Sequence, residues 1–137
     1  INTIPGKDVF YMDCRILPTY RVEEILDFIR TRAKKVAEEL DLSIEIEPAY
    51  RQPAADPTSP DAPVVKALAR AIKSVKGLDA KPMGIGGGTV AAFFRQSGLP
   101  AAVWLTDPGT PHQPNEYCLI SNIISDAKVF ASLYLDA

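Results

Sequence analysis

Residues 107–118, DPGTPHQPNEYC, hold the single histidine of the chain, His112, among three prolines and a glycine. Glu116 follows four residues later and Cys118 two beyond that. Imidazole, carboxylate and thiolate are the donors a zinc ion takes, three or four at a time. Pro114 argues against a helix that would put His112 and Glu116 on one face. Cys118 alternates with Tyr117 in a strand-like run. Spacing alone assembles no complete metal site. By itself His112 reads as a loop histidine, and as a ligand only if its partners come from elsewhere.

Gly86, Gly87 and Gly88 run into Thr89. Glycines after a strand let backbone approach a ligand closely. Thr89 is placed to cap the helix that follows, where free N–H groups and the helix dipole favour a carboxylate or phosphate. The plainer reading is a tight turn that needs positive φ, and three glycines alone favour it. No lysine follows at phosphate-loop spacing, and G-x-G-x-x-G is not matched. Arg15 shares a strand face with Asp13. The pair reads either as a surface ion pair, worth about 0–1 kcal/mol, or as a guanidinium held out to grip a carboxylate through two hydrogen bonds.

The elements that must position these residues follow from periodicity. Over residues 8–16, Phe10, Met12, Cys14 and Ile16 alternate with Val9, Tyr11, Asp13 and Arg15, the period of a half-buried strand. From Thr19, a plausible N-cap, Val22, Ile25, Leu26, Ile29, Ala33, Val36, Ala37 and Leu40 trace one face of a long helix. Residues 43–50 alternate again. Pro53, Pro57, Pro60 and Pro63 then exclude regular structure and mark a semi-rigid linker. A second helix follows, capped by Asp61, striped by Val64, Leu68, Ile72 and Val75 and stopped by Gly77. Residues 80–85 and 101–105 read as strands flanking a short helix at 90–97, and 117–120 as one more. A closing helix carries Ile123, Ala127, Phe130 and Tyr134 on one side. Strand, glycine loop, helix, strand is the pattern of an α/β fold with a parallel sheet.

Composition narrows the function. The chain has 137 residues, 47% of them apolar and 23% charged, with a net charge of −2. Its Lys and Arg are scattered, which excludes the basic stripe that nucleic acid binding needs. No apolar run approaches the roughly 20 residues of a membrane span, and no signal peptide pattern is present. Cys14 and Cys118 make no disulfide framework and read as two buried free thiols of a cytoplasmic protein.

In order along the chain, NTIPGKDVFYMDCRILP, GIGGGTVAAFFRQSGLPAAVW and PHQPNEY resemble the cocatalytic zinc hydrolases. That family includes succinyl-diaminopimelate desuccinylase, acetylornithine deacetylase, aminoacylase and carboxypeptidase G. The resemblance spans the whole chain but only the C-terminal portion of a family member. It implies a partial ferredoxin-like lid or dimerisation domain over residues 1–57. Residues 58–137 would be the C-terminal part of the catalytic α/β domain.

Carried over residue by residue, the resemblance makes His112 a zinc ligand and Glu116 the acid that orients it. Asn2 and Arg15 become lid residues that grip the substrate carboxylate. Gly86, Gly87, Gly88 and Thr89 become the substrate-binding turn. Val90 stands where many members have Asp, which bears on substrate selectivity and not on zinc. The implied function is hydrolysis of the amide of an N-acyl amino acid or small peptide, with two zinc ions, in a cytoplasmic homodimer. The other zinc ligands and the general base have no match here, so this chain alone is expected to be inactive. A non-catalytic module that binds a small anion through the glycine loop, or serves assembly, is the alternative reading.

Overall fold

A computed structural model describes residues 5–135. Two compact units divide the chain, Ile1–Pro53 and Ala54–Ala137. Among the described residues there are four helices and no strand: α1 Val22–Leu40, α2 Pro63–Lys76, α3 Ala91–Gln96 and α4 Ile120–Leu135. The α/β expectation, with its ferredoxin-like part and its parallel sheet, is therefore incorrect. Alternation dictates which way side chains point, but a strand exists only when its N–H and C=O groups pair with a neighbour. Residues 8–16 keep the alternation and lack the ladder. Phe10 and Tyr11 belong to opposite sides of the pattern, yet they are 78% and 88% exposed.

In the first unit, α1 forms because its apolar residues recur at helical spacing. The face is shallow, with Val22, Ile25, Leu26, Ile29, Ala33 and Ala37 half-buried and none fully buried. Arg21, not Thr19, occupies the cap position, and its N–H donates to Glu24 Oε2 at 3.4 Å. At the other end Asp41 adopts φ 52°, and the Leu42 N–H returns to the Ala37 carbonyl at 2.9 Å.

The second unit has a true core. Leu68, Ala71 and Ile72 of α2 meet Val129 of α4, with Val75, Ala80, Trp104 and Leu133 packed around them. Ile72 is 2% and Val129 0% exposed. Burying a side chain of that size contributes about 1.5–3 kcal/mol. The stripe on α2 is the one its periodicity predicts. Gly77 ends the helix at φ 70°, while Ala62 takes the cap position expected of Asp61.

On α4 the line facing the core is Asp126, Val129 and Leu133, spaced as i, i+3 and i+7, with Val129 buried and the other two half-buried. The expected face of Ile123, Ala127, Phe130 and Tyr134 looks outward, with Tyr134 85% exposed.

Segment 101–106 shows what replaces a ladder. The Thr58 hydroxyl donates to the Ala101 carbonyl at 2.7 Å and accepts the Ala101 N–H at 3.1 Å. At the far end the Thr106 N–H donates to Asp126 Oδ2 at 2.6 Å. Two side chains thus satisfy backbone groups that a neighbouring strand would otherwise take. Within the second unit, Thr58 thereby ties its part of the proline-rich stretch to Ala101. Among the described residues no helix is long and apolar enough to cross a membrane.

Candidate functional site

His112 lies in a loop that bonds to itself. Gln113 N–H donates to the Thr110 carbonyl at 3.2 Å, and Glu116 N–H to the Gln113 carbonyl at 3.1 Å. Two four-residue turns therefore follow one another, 110–113 and 113–116. Each has proline at its second position, Pro111 and then Pro114. Each has a left-handed residue at its third, His112 at φ 62° and Asn115 at φ 61°. Proline second and positive φ third is the pattern of a type II turn, where glycine or asparagine is favoured in the third place. Asparagine suits that place. Histidine is among the few other residues that adopt positive φ, and such uncommon backbone conformations cluster at functional sites.

Side chains hold the strained turn. Glu116 Oε2 accepts the His112 backbone N–H at 3.1 Å. Gln113 Nε2 donates to the Gly109 carbonyl at 3.1 Å, and Asp107 Oδ1 accepts the Gly109 N–H at 2.7 Å. Thr110 Oγ1 donates to the Tyr117 carbonyl at 3.2 Å and closes the loop at its base. Glu116 thus fixes the backbone of His112. The imidazole is exposed and is spent on none of these bonds.

The other predicted residues are more scattered. Arg15 Nε donates to Asp13 Oδ2 at 3.1 Å, both side chains exposed. Asn2 lies outside the described residues. Gly86, Gly87 and Gly88 do not adopt positive φ. A Cβ on Gly86 or Gly88 would meet nothing within 4 Å, and one on Gly87 only Ile85 Cδ1 at 3.8 Å. Neither conformation nor packing inside the chain calls for glycine there. Thr89 does not cap α3 through its side chain. Val90 is the cap residue, and the Thr89 carbonyl accepts the Ala92 N–H at 3.0 Å. Cys14 and Cys118 are free and exposed, not buried as expected.

Among the described residues no three or more His, Cys, Asp or Glu side chains come together so that they could hold a metal ion. A zinc ion takes three or four protein donors. His112, exposed on a turn braced from behind, fits as one donor, and the described residues do not complete a set around it.

One cluster escapes sequence reading. Lys76 Nζ lies 2.8 Å from Asp126 Oδ1, with side chains only 13% and 15% exposed. The Thr106 hydroxyl donates to the same oxygen at 2.6 Å and accepts from Lys76. Lys76 also stands 5.5 Å over the Trp104 ring. Burial alone would raise the Asp126 pKa. Hydrogen bonds from Lys76 and Thr106, with the lysine charge, outweigh it and lower the pKa to about 2. The available signal was a carboxylate on the apolar line of α4, one turn before Val129.

Residues 5–136 match the sequence profile of peptidase family M20/M25/M40. The chain is 44% identical over 137 residues to an uncharacterized metallohydrolase of Methanocaldococcus jannaschii, covering 94% of this chain and 33% of the relative. It is 38% identical over 146 residues to an uncharacterized metallohydrolase of Methanococcus maripaludis, covering 97% and 35%. A succinyl-diaminopimelate desuccinylase of Nautilia profundicola is 30% identical over 129 residues, covering 94% and 33%. The chain spans about a third of the length of these curated relatives. No solved structure matches it.

Proposed function

The chain belongs to peptidase family M20/M25/M40, and on that premise we propose that it is the C-terminal part of a zinc-dependent amidohydrolase. The substrate is an N-acyl amino acid, of the succinyl-diaminopimelate or acetylornithine kind, or a small peptide. The family implies a metal-dependent hydrolase. Zinc, two ions per active site, is part of the proposal, as are a cytoplasmic location and a homodimer formed through residues 1–57.

The observation that carries this reading is His112 in a left-handed turn, braced by Glu116, with its imidazole left unspent. A strained histidine whose backbone is fixed and whose ring is exposed suits a ligand better than a packing residue. Zinc, when bound, supplies Lewis acidity toward the amide carbonyl. The roles left to this chain are to donate one imidazole and to bind and orient the substrate. Arg15 and Asn2 take its carboxylate. The N–H groups of residues 86–89 serve as backbone donors to the substrate, where glycines leave room for close approach. The remaining ligands and the general base belong to the rest of the protein, so this chain alone does not turn over substrate.

Assaying the full-length protein on N-succinyl-diaminopimelate and N-acetylornithine, beside its His112→Ala variant, tests the reading. Hydrolysis by the parent and its loss in the variant are expected. A variant as fast as the parent refutes it.

A further inference from the structure

Thr106 and Ile120 bracket the loop that carries His112, and both are fixed to α4. Ile120 is the first residue of that helix. Thr106 is bound to its Asp126 twice, through its N–H at 2.6 Å and its hydroxyl at 2.6 Å. Bonds to both backbone and side chain of one residue fix its orientation as well as its position. Asp107 comes next in the chain and turns it at Gly109. From there Gln113, Pro111 and the 110–113 turn lead to His112. The loop keeps its own shape through internal bonds, and its direction is set where it is rooted.

The root is built from a carboxylate that accepts both the N–H and the hydroxyl of Thr106, which no apolar residue could do. An ion pair held largely out of water, as Lys76 and Asp126 are, returns little net stability of its own, because desolvating both partners offsets their attraction. Hydrogen bonds to a carboxylate are directional, which hydrophobic contact is not. Lys76 Nζ holds Asp126 Oδ1 at 2.8 Å from the end of α2. The carboxylate is thereby fixed against both helices of the core.

We propose that Asp126, with Lys76, is a positioning residue for His112. Its carboxylate pins Thr106 to α4 and so aims the imidazole at the metal. This rests on the reading of His112 as a ligand.

The test is a Co(II) titration of the metal-free full-length protein, read by the visible absorption of the bound ion, alongside the thermal midpoint. Asp126→Asn is expected to weaken Co(II) binding roughly tenfold, the lower end of the range for groups bonded directly to a ligand, since it acts through Thr106, and to change the band shape. Thr106→Val shifts both in the same direction, and Thr106→Ser, which keeps the hydroxyl and the N–H, restores them. If Asp126→Asn does not fold, the Thr106 pair answers by itself. Parental Co(II) affinity and spectrum in Asp126→Asn and Thr106→Val, with only a lowered midpoint, overturn the proposal and leave a helix clamp. Parental binding in His112→Ala overturns the ligand reading instead, and this proposal with it.

Discussion

Lys76 and Asp126, fifty residues apart in the chain, meet at 2.8 Å between Nζ and Oδ1 and tie the end of α2 to α4. With Thr106 they join a helical core to the root of the loop that holds His112. Scaffold and site are linked at that point.

The acid limb of stability should carry the signature of Asp126. Its pKa falls from 3.8 to about 2 in the folded chain. The unfolded state therefore binds the proton first, and the stabilisation is fully present above about pH 4. It is lost as pH drops from about 4 to 2, and a shift of this size corresponds to about 2 kcal/mol. Urea denaturation at stepped pH should show that loss in the parent and its absence in Asp126→Asn.

Removing one member of the pair should cost more than removing both. Asp126→Leu strands both the Lys76 ammonium and the Thr106 N–H and costs about 3 kcal/mol, whereas adding Lys76→Met recovers the share due to the ammonium and leaves that of Thr106. Denaturant midpoints of the two single variants and the double variant measure the difference. Additive losses count against a desolvated pair.

The packed face of α4 makes a sharp contrast. Ile72→Ala, at the other side of the same core, should cost about 2–5 kcal/mol. Tyr134→Ala, at an exposed position, should change stability by less than about 0.5 kcal/mol. Comparable losses at the two positions would show that α4 is rotated from the placement described.

How much of this was legible beforehand depended on the physics of each element. Helices α1 and α2 were readable because a helix satisfies its own backbone, so periodicity and Gly77 carry most of the information. The strands were not, because a strand needs a partner that its own residues do not name. Thr58 and Asp126 take that role at the two ends of segment 101–106. The buried line of α4 was misplaced because apolar residues cover more than one stripe of it, and the informative residue was polar. The prolines around His112 were visible in sequence. The left-handed conformation of His112 was not, nor was the bond from its backbone to Glu116.

That conformation yields a trade-off. His112→Gly relieves positive φ and should raise stability by about 1 kcal/mol, while it removes the imidazole. A higher thermal midpoint joined to lost hydrolysis in the full-length protein is the expected pair of results. A lower midpoint would mean that His112 makes contacts that outweigh its strain.

Zinc per chain, by elemental mass spectrometry, in the purified full-length protein and its His112→Ala variant decides whether His112 is a ligand. A ligand role for His112 requires bound zinc in the parent and less of it in the variant. Equal zinc in both would contradict it.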